Sequence, residues 1–137
     1  MMAKANAETI DPEVRAQAGR ELGRAMVLLE MEESEAALQA CERAVGLAPQ
    51  DATPAVVRAL VWQAMGRGRE ALMELKRITR AWPESALGHI HFAEACFLGG
   101  RERAGWRAMD RARQVCETED ERALWGAMQE AWGAPRP

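Results

Sequence analysis

Small and apolar positions recur along this chain about every 34 residues. Ala25, Ala59 and Ala93 form one such column, Ala37, Ala71 and Gly105 a second, and Leu38, Leu72 and Trp106 a third. Chain-breaking residues keep the same period, as in Gly66 and Gly100 or Pro49 and Pro83. Seven helices are predicted between the breaks, starting at about 12–14, 34, 53, 69, 84, 101 and 118. Asp11-Pro12 pairs an N-cap with proline at the first helical position, and Thr53-Pro54 repeats the device. Ser34 and Ser85 read as further caps, and Thr118 with Glu121 as a capping box. Gly66-Arg67-Gly68 and Gly99-Gly100 read as tight breaks, and Pro49 and Pro83 as stops. Such short loops make consecutive helices antiparallel neighbours.

Composition supports an all-α reading. Alanine is abundant, β-branched residues are scarce, and the aromatic set is five Trp and two Phe with no Tyr. A length of 137 residues suits one domain with a modest core. The charges, 18 Lys and Arg against 21 Asp and Glu, argue against a nucleic-acid partner. Cys41, Cys96 and Cys116 are too few for a disulfide framework, and none sits in a CxxC pair, which points to a reducing compartment. No apolar run approaches the ~18 residues of a membrane span, so no membrane partner is expected. Met1 to Ile10 is polar and Ala-rich, without a signal-peptide core, so the expected location is cytoplasmic.

A 34-residue period of helix pairs is the signature of the tetratricopeptide repeat. The segment Ala37 to Pro49 resembles a second helix of that family. Ala59, Trp62, Gly66, Ala71 and Pro83 carry the resemblance through a second repeat, and Ala93, Gly100, Gly105 and Ala112 through a third. Glu117 stands where proline is usual, and Arg24 and Arg58 stand where leucine is usual. The resemblance implies an all-α, right-handed superhelix of three helix hairpins, with repeats at about 18–51, 52–85 and 86–117. A C-terminal capping helix over 118–133 would close a single domain spanning 12–133. A disordered leader, 1–11, and a tail, 134–137, would flank it.

Catalytic chemistry finds little support. His89 and His91 are two apart on a helix and diverge, whereas His91 and Glu94 share a face. With no third or fourth ligand, they do not suggest a metal site. Cys41 and Cys96 fall in helix-packing columns and read as buried, inert thiols. No phosphate-binding loop is present. The expectation is no catalytic residue, no metal, no cofactor and no enzyme activity. The stretch from Arg101 to Arg113 holds five arginines interleaved with Glu102 and Asp110. It reads as a solvated outer face, with a patch for an anionic partner as the alternative.

In the family that the repeats resemble, the first helix of each hairpin lines a concave surface that binds peptides. The corresponding columns are Leu22, Val56 and Ile90; Met26, Leu60 and Glu94; and Leu29, Gln63 and Phe97, with His91 adding a polar contact. An apolar column there implies a groove for an extended, partly apolar peptide, unless the terminal helix or a second subunit covers it. Leu22, Met26, Val57, Leu87 and His91 occupy the positions of the family's carboxylate clamp, and its Lys, Asn and Arg are absent. The third repeat, with His91-Phe-Ala-Glu94, Gly100 and Ala112-Arg113, followed by Thr118 to Glu121, resembles class II chaperones of bacterial type III secretion. Those proteins hold hydrophobic translocator subunits before export. Their groove tyrosines have no counterpart in this sequence. The implied function is a protein-binding module, a chaperone for a type III secretion substrate. The alternative is a structural or adaptor subunit of a bacterial complex as an obligate oligomer, including a needle-subunit chaperone. A homodimer remains an open alternative as well.

Overall fold

The computed structural model describes residues 10–133, and every regular element among them is a helix. The elements are α1 (Pro12–Glu30), α2 (Ser34–Leu47), α3 (Ala52–Ala64), α4 (Gly68–Ala81), α5 (Ala86–Leu98), α6 (Glu102–Val115) and α7 (Glu119–Trp132). Each starts within two residues of its predicted position. Of the predicted leader only residues 10 and 11 are described, and Asp11 caps α1; residues 1–9 and the tail, 134–137, lie outside the described residues. None of these helices is long and apolar enough to cross a membrane.

Local side-chain chemistry sets most of the starts. The Asp11 carboxylate accepts the Glu13 amide at 2.9 Å, with Pro12 at the head of α1. Ser85 Oγ accepts the Gly88 amide at 3.0 Å. Thr118 Oγ1 accepts the Glu121 amide at 3.1 Å while the Glu121 carboxylate accepts the Thr118 amide at 3.1 Å, completing the capping box. Two caps differ from the sequence reading. The cap of α3 is Asp51, which accepts the Thr53 amide at 3.0 Å, so Thr53 and Pro54 lie inside the helix. A carboxylate two residues upstream of an amide wins here because it also favours the positive helix end. At α2 the cap is Glu33, with no side-chain hydrogen bond, and Ser34 is already helical.

Contacts gather into two compact units that divide between Arg67 and Gly68, inside the predicted second repeat. In the first unit α1 packs on α2, and α2 on α3. Ala25, Ala37, Ala40 and Cys41 are wholly buried at the centre of one cluster, joined by Val57 and Val61 of α3. Small side chains at Ala25 and Ala37 let the two backbones approach, and the larger Leu22, Leu28, Leu29 and Leu38 close around them. Arg43 of α2 donates to the Glu21 carboxylate of α1 at 2.9 Å. Half exposed, that ion pair contributes about 0.2–1 kcal/mol.

In the second unit α5 packs on α4, α6 and α7. The α5–α6 turn passes through Gly100 at φ +77°, where a side chain would be strained. Ile90, Ala93 and Phe97 of α5 meet Ala108, Met109 and Ala112 of α6 and Met128 of α7. Gly105 is the point of closest approach, since a Cβ there would overlap the Phe97 ring. Trp125 Nε1 donates to the Met109 carbonyl at 2.7 Å, which ties α7 to α6. Buried His89 donates from Nε2 to the Pro83 carbonyl at 2.8 Å and so anchors the loop before α5.

These contacts predict opposite outcomes for two glycine substitutions. Gly105→Ala is expected to lower unfolding free energy by about 1–3 kcal/mol, because the Phe97 ring must move. Gly19, inside α1 with no neighbour within 4 Å of a Cβ, should gain about 0.4–1 kcal/mol as Ala. Urea midpoints of the two variants check both signs; an unchanged midpoint for Gly105→Ala would contradict the packing described.

Candidate functional site

The residues expected to line a groove divide by exposure. On α1, Leu22, Met26 and Leu29 follow steps of four and three and share a face. Leu22 and Leu29 are half buried against the Ala25–Cys41 cluster, whereas Met26 is 44% exposed. Val27 and Met31 lie beside it and are 56% and 63% exposed. Exposed apolar side chains therefore gather in the last turn and a half of α1, with Met26 and Val27 about 100° apart round the helix. Val27 and Met31 fall outside the repeat columns, so periodicity could not single them out. On α3, Leu60 and Gln63 are half buried and Val56 is wholly buried. Trp62, also on α3, has the Arg58 and Arg67 guanidiniums within 5.1 and 5.4 Å of its ring centre. Two cations on one indole fix its orientation.

In the second unit the expected lining residues separate further. Ile90 and Phe97 are buried, 0% and 5% exposed, in the cluster shared with α6 and α7. Phe97 lies 4.9 Å from the Trp106 ring and stacks on Trp132 at 5.2 Å. Ile90 and Phe97 therefore hold the terminal helix down and do not line an open surface. The covering helix is α7, one of the two covers that the sequence left open. His91 and Glu94 do share a face, with Nδ1 and Oε1 3.3 Å apart, and both remain partly exposed. Among the described residues no group of three potential metal-ligating side chains comes together.

The thiols are electronically quiet. Burial pushes Cys41 up to about 11, with Arg58 pulling it down and Glu42 adding to the rise. Burial also raises Cys96, against the pull of Arg101, Arg107 and Lys76. Cys116 is raised by burial and by Glu121, with Arg122 opposing. All three are neutral thiols at pH 7, poor nucleophiles and poor metal ligands. The expected groove residues that stay exposed offer apolar contact at Met26 and a polar pair at His91 and Glu94.

No protein-family model and no curated protein matches the chain. Solved structures do. The type III secretion translocator chaperone SycD of Yersinia enterocolitica superposes with a TM-score of 0.71 at 14% identity, over 84% of this chain and 87% of that one. SycD in complex with a peptide of the translocator YopD gives 0.64 at 15% identity, over 82% and 89%. The Sgt2 tetratricopeptide domain of Aspergillus fumigatus gives 0.64 at 16% identity, over 93% and 87%. The fold is therefore of the tetratricopeptide type.

The Cys41 environment gives a direct check on the first unit. Native protein at pH 8 is expected to react with iodoacetamide at Cys41 at least about a hundredfold more slowly than urea-unfolded protein. The raised pKa also sets a sign for stability. The buried neutral thiol contributes fully below about pH 9, where the unfolded thiol ionises, and that contribution is lost as pH rises towards about 11. Urea midpoints of the native sequence should fall faster over this window than those of Cys41→Ala; parallel curves would mean that Cys41 ionises as easily folded as unfolded.

Proposed function

We propose that this chain is a peptide-binding tetratricopeptide module of the bacterial cytoplasm, holding an extended and partly apolar segment of a partner protein. The observation that carries the reading is the end of α1, where Met26 stands open to solvent on the face of half-buried Leu22 and Leu29, with exposed Val27 and Met31 further round the helix. Solvent-facing apolar clusters cost free energy unless something covers them. Methionine suits such a surface, because an unbranched thioether adapts to side chains of varied shape. Leu22 and Leu60 would extend the apolar contact within the first unit, and Gln63 would supply a hydrogen bond that fixes register. His91 and Glu94 would serve the same polar role on the second unit's own surface. A structural neighbour solved with a translocator peptide supports the class of ligand. The finer assignment is a chaperone that shields an exported hydrophobic subunit.

Self-association is the second reading, in which the open end of α1 packs on another copy. It draws support from the SycD structure described as an alternative dimer.

The test selects binders of about 12 residues from a random peptide library displayed on phage, then measures them by fluorescence anisotropy. Met26→Asp and Leu60→Asp should each weaken the selected apolar peptides by about tenfold or more while helicity by circular dichroism is unchanged. Equal binding by Met26→Asp would overturn the peptide reading. Light scattering separates the second reading: a dimer that Met26→Asp dissociates assigns the surface to self-association.

A further inference from the structure

A cavity of about 920 Å³ lies within the second unit, on a different surface from the one just discussed. One wall is α4 and the other is the start and middle of α6, with Phe92 and Cys96 of α5 among its lining residues. Arg69, Lys76 and Arg80 project from α4, and Arg101, Arg107 and Arg111 from the α6 side. Six of the chain's 18 basic residues thus line one cavity, and no Asp or Glu lines it. The arginine ion pairs of these helices, Arg77 with Glu74 and Arg113 with Asp110, involve neighbours outside the cavity. Among the described residues none of the six cavity cations forms an ion pair. Between the cations the lining is apolar, with Leu72, Met73, Phe92, Ala104 and Ala108.

Five of these six charges repeat at helical steps. Arg69, Lys76 and Arg80 are seven and four apart and Arg107 and Arg111 four, so these charges follow one side of their helices, while Arg101 sits at the cap of α6. From Arg69 to Arg80 such a wall runs about 16 Å. An extended chain advances ~3.3 Å per residue, so five residues fill that length. Like charges held together without counter-charges repel, and the folded state bears that cost. The other sign dominates the chain as a whole, at net −3. Charge segregated in this way recruits an anion of matching shape.

We propose that the α4–α6 groove docks an acidic extended peptide segment whose carboxylates pair with the two basic walls and whose intervening apolar side chains rest on Leu72, Met73 and Phe92. Three features favour a peptide over a nucleic acid. The apolar lining matches side chains, not phosphates. Phe92 is the only aromatic in the lining, too little for a base-stacking platform. A chain of net negative charge repels a long polyanion. A lone phosphate is disfavoured because the cations are spread along two walls and do not converge. This docking stands independently of the α1 surface.

The probes are a labelled heptapeptide of alternating Glu and Leu, its Gln-for-Glu counterpart, a single-stranded oligonucleotide and inorganic phosphate. Each is titrated on the full chain by anisotropy or by competition. The acidic peptide should bind at least about tenfold more tightly than the Gln peptide, with affinity falling as salt rises from about 50 to 200 mM. Lys76→Glu with Arg107→Glu should remove at least about tenfold, whereas Arg103→Glu, on α6 but outside the cavity, should leave binding within twofold. The double reversal should also raise the melting temperature, because it relieves repulsion among the six cations. That readout does not depend on any ligand. Equal affinity for the acidic and Gln peptides overturns the proposal, as does equal weakening by Arg103→Glu. Tighter binding of the oligonucleotide, or full displacement of the peptide by millimolar phosphate, would reassign the groove to phosphate-bearing ligands. A melting temperature that falls in the double variant would show the cations to be structural.

Discussion

The seating of α6 and α7 on α5 depends on the missing side chain at Gly105. With no Cβ there, the Phe97 ring can lie directly against the α6 backbone. Phe97 in turn stacks on Trp132 and meets Trp106, so the terminal helix is seated through a ring that only glycine admits. The first unit uses the same constraint with alanine. Ala25 and Ala37 are both wholly buried, and leucines wrap the contact from either side. Paired helices must approach closely before their larger side chains can interlock, and the residue that permits approach contributes almost no contact of its own. This explains why the small-residue columns carry the repeat signal while the large residues around them vary.

The same close packing decides which residues remain available for binding. Seating α7 on α5 buries Ile90 and Phe97, because each side chain removed from water stabilises the fold by about 1.5–3 kcal/mol. Position in a repeat column therefore does not determine exposure. Met26 lies in the same column as Leu60 and Glu94 and stays 44% exposed, although Ala25, Leu28 and Leu29 around it pack into the cluster of the first unit.

Much of this was legible in the sequence. Seven helices, the caps Asp11 and Ser85 and the Thr118–Glu121 box follow from chemistry that acts within four residues. The inert character of Cys41 and Cys96 also followed, from their place in packing columns. Two kinds of feature stayed hidden. Asp51 and Thr53 both suit a cap, and only the backbone shows which amide is reached. Whether Ile90 faces solvent depends on where a helix thirty residues later comes to rest. The basic groove was half visible: Arg101, Arg107 and Arg111 stand out on α6, but Glu102 and Asp110 beside them suggested a balanced, solvated face. The other wall comes from Arg69, Lys76 and Arg80, and the two are brought together only when α4 and α6 flank α5.

Helix α5 shows how one short element serves opposed demands. Its residues are apolar nearly all round, so no single polar stripe marks an outside. Ile90 and Phe97 face the contact with α6 and α7, while Phe92 and Cys96, on the far side by helical spacing, belong to the basic cavity. Only His91 and Glu94 are left to meet water with a polar pair. A helix buried on two sides is fixed in rotation, and its position holds α4 and α6 at a set separation. The cations on those two helices therefore cannot spread apart to relieve their repulsion. Side chains alone could turn away into solvent, yet burial still raises the Cys96 thiol although Arg101, Arg107 and Lys76 pull it down. Basic side chains from both helices thus stand on either side of the groove proposed to take an extended chain.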